Sequence, residues 1–183
     1  MSNNRDQALI DRCRRGDRRA LETLLGHYER PVYNAAYRIV GNCEDAADVT
    51  QVVFLKAFEH LDRYNSKFKF FSWIYRIAIN ESINHINRNK NQQPLGEQEI
   101  VDNRGPEDFV GAGDLSDMLQ SCLLELQEDY RAVVVLRHFS ECSYLEISDI
   151  LHIPEKTVKS RLYSARQLMK DKLKNHFKGS SNF

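Results

Sequence analysis

The stretch SYLEISDILHIPEKTVKSRLYSARQLM, residues 143–169, predicts a helix-turn-helix. A short amphipathic helix is followed by a longer one that repeats apolar side chains at helical spacing. The apolar positions are Leu145, Ile147, Ile150 and Leu151 in the first helix and Val158, Leu162, Ala165 and Met169 in the second. A tight turn joins the helices, with His152 where such turns often carry Gly. Because His tolerates a positive φ, this turn is compatible with the motif.

The outer face of the second helix carries the functional prediction. The side chains that fall mostly off the apolar stripe are Lys156, Lys159, Ser160, Tyr163 and Arg166. In DNA-binding helix-turn-helix proteins the second helix lies in the major groove with its N-terminal residues at the base edges. The residues from Glu155 to about Tyr163 would then face the bases. A plain helical hairpin with a solvated basic face is the alternative that this stretch leaves open.

Charge is unevenly distributed along the 183 residues, although the formal net charge is zero. Residues 63–90 hold six Lys or Arg and one acid, and residues 155–178 hold eight against two. Between them, residues 97–117 hold seven acids and one Arg. Since phosphate binding depends on local charge, two basic segments can bind DNA in a neutral protein.

Composition argues against several other classes. Gly and Pro are scarce, so we expect an all-α protein. No apolar run approaches the ~20 residues of a membrane span, and the N-terminus lacks the apolar core of a signal peptide, so we expect a cytoplasmic protein. Neither the cysteines nor the histidines show metal or catalytic spacing, and no phosphate-cradling glycine loop is present. We therefore expect no metal, no cofactor and no enzyme. The four cysteines are Cys13, Cys43, Cys122 and Cys142.

Periodicity divides the chain into two small helical domains joined by a flexible acidic linker. The expected boundaries are 1–91 for the first domain, 92–115 for the linker, 116–178 for the second domain and 179–183 for a tail. In the first domain we expect helices over 5–15, 18–28, 31–40 and 44–61 and another that begins at Phe70. Asp17 is the expected N-cap of the second helix, Pro31 starts the third, and Phe58 lies inward. The segment EDYRAVVVLRHF, residues 128–139, is expected to be a buried helix.

A second informative stretch is DRYNSKFKFFSWIYRIAIN, residues 62–80, where aromatic rings alternate with cations. Bases of single-stranded DNA stack on aromatic faces while cations hold phosphates. The cations are Arg63, Lys67, Lys69 and Arg76. Trp73 is expected to belong to the core, whereas Tyr64, Asn65 and Ser66 fall in a loop where core packing is less expected. Asn80 lies mid-helix, either solvated or at a base.

The predicted duplex-binding helix and the predicted single-strand-binding segment together indicate promoter recognition. A linker of roughly 24 residues reaches about 80 Å, and two turns of B-DNA span about 70 Å. One chain could thus contact a single-stranded and a duplex element.

The chain resembles the bacterial extracytoplasmic-function (ECF) RNA polymerase sigma factors, group 4 of the sigma-70 family, over nearly its whole length. Residues 45–64 are similar to the polymerase-binding helix, 71–88 to the helix that reads the −10 element, and 144–169 to the −35 helix-turn-helix. The resemblance implies sigma domain 2 in the first half, sigma domain 4 in the second, and no catalytic activity.

The resemblance also assigns roles to residues and partners. Docking on the β′ clamp helices is implied for Asp45, Asp48, Gln51 and Phe54. Capture of a flipped −10 base is implied for Tyr64, Asn65, Ser66 and Lys67, with Asn80 nearby and Arg76 as a supporting cation. Contacts to the −35 element are implied for Lys156, Thr157, Lys159, Ser160 and Tyr163, with Arg161 and Arg166 on phosphates. The implied partners are core RNA polymerase, including the β flap, promoter DNA and an anti-sigma factor.

Within the docking helix the chain departs from the family pattern at Ala47 and Val52, where Glu is usual. The alternative function is a stand-alone helix-turn-helix regulator that binds palindromic DNA as a dimer, which would leave the aromatic loop unexplained.

Overall fold

The computed structural model describes residues 3–92 and 113–179, and these residues form helices and turns without any strand. The helices are α1 (Asn3–Arg14), α2 (Arg18–Val40), α3 (Cys43–Glu59), α4 (Phe70–Gln92), α5 (Gly113–Leu124), α6 (Glu128–Val134), α7 (Tyr144–Leu151) and α8 (Glu155–Gly179). A 3₁₀ turn covers Leu61–Arg63, and a π-helical turn, Val135–Phe139, extends α6. The all-α prediction is confirmed, while the predicted linker falls mainly on residues 93–112, outside the described residues.

The first half of the protein is a bundle of α1 to α4. Asp17 caps α2 as predicted, since its Oδ1 accepts from the amides of Arg19 and Ala20. The predicted helix start at Pro31 is wrong, because α2 runs through it to Val40. A proline inside a helix costs ~3 kcal/mol. Buried residues on both sides of Pro31 hold the helix against its neighbours and offset that cost; they are Leu24, Tyr28, Val32, Ala35 and Ala36.

The second half consists of α5 to α8. The segment 128–139 is helical as predicted, with its run of valines buried. Ser143 caps α7 in a reciprocal capping box with Glu146. His152 ends α7 at φ 53°, so it adopts the left-handed conformation that the sequence left possible for this turn. Leu145 was expected on the buried face but is 60% exposed, because an eight-residue helix buries only the side that carries Ile147 and Ile150.

The two halves pack against each other at the C-terminal end of α2. Gly41 ends α2 at φ 83°, and a Cβ at this position would lie 2.6 Å from Leu124 Cδ1. Arg131 is buried there and donates to the carbonyls of Ile39, Leu124 and Leu126, of which only Ile39 belongs to the first half. The left-handed φ therefore favours Gly at position 41, and its lack of a side chain leaves room for the side chain of Leu124.

Candidate nucleic-acid interface

The N-terminal half of α8 presents a polar face to solvent. Lys156, Lys159, Ser160 and Tyr163 are exposed, and Val158 and Leu162 are buried on the opposite side. Tyr163 is 67% exposed, although large aromatic side chains are ordinarily buried. The Nζ of Lys159 lies 5.9 Å from the ring centroid of Tyr144, so a neighbouring helix helps to orient this cation. The turn geometry of α7 thus places the predicted DNA-contacting side chains on one open surface.

Three other predicted residues of α8 differ in their surroundings. Thr157 is half-buried and its carbonyl accepts from Ser160 Oγ. Arg161 is half-buried and pairs with Asp129 at 2.5 Å. The reason is helical spacing, since residue 161 lies three positions after Val158 and four before Ala165 and so borders the buried stripe.

Arg166 is exposed, with its Nη2 3.3 Å from Nε2 of His138. Burial lowers the pKa of His138, and the charges of Arg166 and Arg137 lower it further. The imidazole is therefore neutral at pH 7 and adds no second positive charge at this edge of the helix.

The expectation that Tyr64 does not pack in the core is wrong. Its ring is 4% exposed and packs at 5.5 Å from Phe70 and 5.4 Å from Trp73, centroid to centroid. Its hydroxyl donates to the carbonyl of Phe68 at 2.6 Å. Burial is the main reason that the pKa of Tyr64 is raised. A loop position does not by itself leave a ring exposed, and here the aromatic core reaches into the loop.

The residues that follow Tyr64 form an open polar loop. Asn65, Ser66 and Lys67 are exposed, and the Asn65 side chain accepts from the amide of Lys67 at 3.0 Å. Arg14 fixes the base of the loop by donating to the carbonyl of Tyr64 at 2.6 Å. Phe68, which sequence reasoning did not single out, is 54% exposed at the tip. The loop thus offers one aromatic ring, an amide and a cation to solvent from a fixed base.

Helix α4 carries the remaining predicted −10 residues. Asn80 is exposed on it. Arg76 is half-buried and donates to the carbonyl of Asp149 in α7 at 2.5 Å. Trp73 is half-buried and packs on the core, in agreement with its predicted role. Between this helix, the loop and α7 lies an open cleft of about 700 Å³.

Helix α3 exposes a mixed apolar and polar stripe. Asp48 and Gln51 are exposed as predicted. Phe58 was expected inward, but it is 58% exposed, and Leu55 is 62% exposed. Residues 48, 51, 55 and 58 recur at the three- and four-residue spacing of one helix face, which explains why they share a side. The same spacing in the sequence could have revealed Leu55 and Phe58 as part of the surface.

Asp45 and Phe54 lie at the margins of that stripe and are half-buried. The Oδ1 of Asp45 is 3.0 Å from Nε2 of His85 in α4. No spacing in the sequence indicated this acid–histidine pair. Ala47 and Val52, the positions that depart from the acidic pattern, are also half-buried.

Within residues 3–92 and 113–179, no group of three or more His, Cys, Asp or Glu side chains could hold a metal ion. Cys142 is buried, and this burial raises its pKa to about 12, which makes the thiol unreactive at neutral pH. None of the described helices has the length and apolar character to span a membrane.

Two family models match the chain, Sigma-70 region 2 over residues 24–92 and Sigma-70 region 4 over residues 116–169. The ECF RNA polymerase sigma factor SigW of Bacillus subtilis is 33% identical over 178 residues, which cover 91% of this chain and 95% of SigW. The chain belongs to the ECF sigma factors.

Solved structures share the fold of this sigma factor. CnrH in complex with the cytosolic domain of CnrY superposes with a TM-score of 0.73 at 22% identity, over 93% of this chain and 98% of that one. The sigma factor RpoE in complex with the anti-sigma factor NepR from Bartonella quintana gives a TM-score of 0.71 at 22% identity, over 84% and 96% of the two chains. The matched regions include both halves, so the described residues share the fold of these two structures.

Proposed function

We propose that the chain docks on core RNA polymerase through α3, reads −35 duplex DNA through α8 and captures the −10 strand with the loop after Tyr64. In this role it is a non-catalytic subunit that acts in the bacterial cytoplasm, where polymerase and promoter DNA are found. In this proposal sigma domain 2 covers residues 1–91 and sigma domain 4 covers residues 116–178.

The observation that carries the docking proposal is the stripe of α3. Exposed Leu55 and Phe58 stand beside Asp48 and Gln51, and water-exposed apolar side chains on one helix face are typical of a protein-binding surface. Buried apolar contacts supply affinity, while the carboxylate of Asp48 can pair with an arginine of the partner. Asp45 and Phe54 contribute from the margins of the stripe. The apolar pair compensates for the missing acids at positions 47 and 52.

The −35 contacts are assigned to the open face of α8. The side chains that contact the major groove are those of Lys156, Lys159, Ser160 and Tyr163. Thr157 lies at the edge of this face, and its main-chain carbonyl accepts a hydrogen bond from Ser160. Arg166 holds phosphate. Arg161 is paired with Asp129 of α6 and so makes no direct base contact.

The −10 contacts are assigned to Asn65, Ser66 and Lys67, together with exposed Phe68, which provides the stacking surface. Tyr64 positions this loop from within the core. Arg76 and Asn80 on α4 line the path of the strand. An extruded base costs a few kcal/mol of unstacking, which one ring and several polar contacts can offset.

An anti-sigma factor is the proposed regulatory partner. The Bartonella quintana RpoE structure shows a sigma factor of this fold held by an anti-sigma protein. An equivalent partner would cover the polymerase- and DNA-binding faces of this chain.

Transcription in vitro tests the proposed function. Core polymerase is supplied with a randomised promoter library, with and without this protein, and the transcripts are sequenced. We expect starts only when the protein is present, downstream of two shared sequence elements. Transcription that does not depend on the protein, combined with tight binding of the free chain to palindromic duplex, would instead identify a stand-alone regulator.

A further inference from the structure

The first helix of the helix-turn-helix lies against the cations at the start of α4. Lys69 Nζ is 2.8 Å from Oε1 of Glu146, in the first turn of α7. One helical turn of α7 further on, Arg76 donates to the carbonyl of Asp149 at 2.5 Å. Two cations of the first half are thus met by two oxygens of the second half, a carboxylate and a carbonyl.

The Glu146 carboxylate oxygen and the Asp149 carbonyl oxygen occupy positions that the phosphate oxygens of a DNA strand could take. Lys69 and Arg76 belong to the segment that alternates cations with aromatic rings, and both line the cleft with Lys67 and Phe68. A phosphate of a nucleic-acid strand would present the same anionic oxygens to these side chains. Arg76 Nε is buried without a hydrogen-bond partner, so the present arrangement does not satisfy this guanidinium fully.

We propose that α7 is an intramolecular competitor of the −10 strand, in which Glu146 and the Asp149 carbonyl occupy Lys69 and Arg76 in place of strand phosphates. This inference rests on the proposed function. It predicts that the free chain binds single-stranded DNA weakly until α7 is displaced from α4, as on assembly with polymerase.

The capping box of α7 also holds Glu146 in this position. The Oε2 of Glu146 accepts from the amide and the hydroxyl of Ser143, both at 2.9 Å, which completes the capping box of α7. Burial alone would raise the pKa of Glu146, but hydrogen bonds from Lys69 and Ser143 outweigh it and leave the pKa lowered. The carboxylate is therefore ionised and fixed toward Lys69 at neutral pH.

The rest of the contact between the halves does not depend on Glu146. Arg131 anchors the end of α2, and Gln120 Oε1 accepts from Arg38 at 2.9 Å. Lys90, at the far end of α4, pairs with Glu128 of α6. Since α4 rises about 1.5 Å per residue, Lys90 is roughly 30 Å from Lys69. A change at residue 146 can thus release Lys69 without separating the halves.

Glu146→Gln in the full-length chain tests the proposal. Gln also completes a capping box, so α7 is expected to stay folded, and circular dichroism checks this. Binding of a fluorescent random-sequence single strand of about 12 nucleotides is followed by anisotropy between about 50 and 200 mM salt. We expect two- to fivefold tighter binding, the range of an exposed ion pair. The slope of log K against log salt should steepen by about 0.7, as for one more phosphate contact.

Glu128→Gln is the matched control, because it also removes one negative charge and frees one lysine at the contact between the halves. We expect unchanged affinity for this variant. In a Lys69→Ala background, Glu146→Gln should bring no gain. No gain from Glu146→Gln alone, an equal gain from Glu128→Gln, or a gain that persists without Lys69 would each overturn the proposal.

Reconstituted transcription with the unsubstituted chain separates this inference from the proposed function. If that chain directs core polymerase to promoters while Glu146→Gln leaves single-strand binding unchanged, only the competitor role of α7 fails. If it directs no transcription, the proposed function fails, whichever affinity the variants show.

Discussion

The Tyr64 hydroxyl donates a 2.6 Å hydrogen bond to the Phe68 carbonyl and so closes the loop that lies between the two residues. Tyr64→Ala should destabilise the fold by ~3–5 kcal/mol, because it empties a buried aromatic site. Tyr64→Phe keeps the ring and loses only the hydrogen bond, at about 1 kcal/mol. Urea unfolding followed by circular dichroism measures both values. Equal stability of the Ala variant and the unsubstituted protein would contradict the core assignment.

Phe68→Ala should impair strand opening and leave the stability of the fold nearly unchanged. Its ring is exposed, so stability should change by no more than about 0.5 kcal/mol. Opening of the −10 element by the holoenzyme should weaken, at ~1–3 kcal/mol for a lost stacking surface. Permanganate footprinting on linear template at low temperature measures strand opening. Normal opening by this variant would show that the extruded base stacks on a side chain other than Phe68.

Asp48→Arg should abolish binding to core polymerase while leaving the helical content intact, because it reverses a charge on an exposed face of α3. Glu29→Arg makes the same reversal at an exposed position of α2 and serves as the control. Gel filtration of the mixture with core polymerase measures association. Co-elution of the Asp48 variant with polymerase would refute the docking face.

Leu55→Ser and Phe58→Ser should weaken polymerase binding by at least ~1 kcal/mol each, because they remove apolar contact area from the same stripe. Their unfolding free energies should stay within about 0.5 kcal/mol of the unsubstituted value, as both side chains face solvent. Titration of labelled protein with core polymerase measures the affinity. Undiminished affinity in both variants would restrict docking to the polar residues.

Lys159→Ala should change sequence preference at one or two −35 positions, at ~1–3 kcal/mol for a base-edge contact. Selection from a randomised −35 library with holoenzyme reveals this change. A uniform loss across sequences, with a salt slope smaller by about one, would instead assign Lys159 to phosphate. Arg161→Ala is the comparison, and we expect unaltered sequence preference because its side chain is paired with Asp129.

The local architecture was largely predictable. Apolar spacing, the Asp17 cap and the left-handed His152 depend on neighbours a few residues away, and the structure confirms the cap and the turn. Pro31 misled the prediction because a breaker acts locally, whereas the packing that carries α2 through it comes from distant helices. Tyr64 misled it for the same reason, since its burial depends on Phe70, Trp73 and Tyr28 meeting at one point.

The exposure of single residues in the candidate site was predictable, but the contacts between residues far apart in the sequence were not. The outward placement of Lys156, Lys159 and Tyr163 follows from one helical period. The pairing of Lys69 with Glu146 joins residues 77 apart, and no pattern in the sequence indicated it. The same holds for Arg131 and the carbonyl of Ile39, 92 residues apart. Such contacts depend on how the helices pack, which single-sequence periodicity does not specify.

The separation between Lys69 and Glu146 also sets an order of events during synthesis. Chains grow at about 5–20 residues per second, so the 54 residues from the end of α4 at Gln92 to Glu146 (146 − 92) take roughly 3–11 s to add. Helical contacts within the first half are local and form far faster than that. Each nascent chain therefore passes through an interval in which α4 is folded and its cations are uncovered, before the segment that pairs with them has left the ribosome.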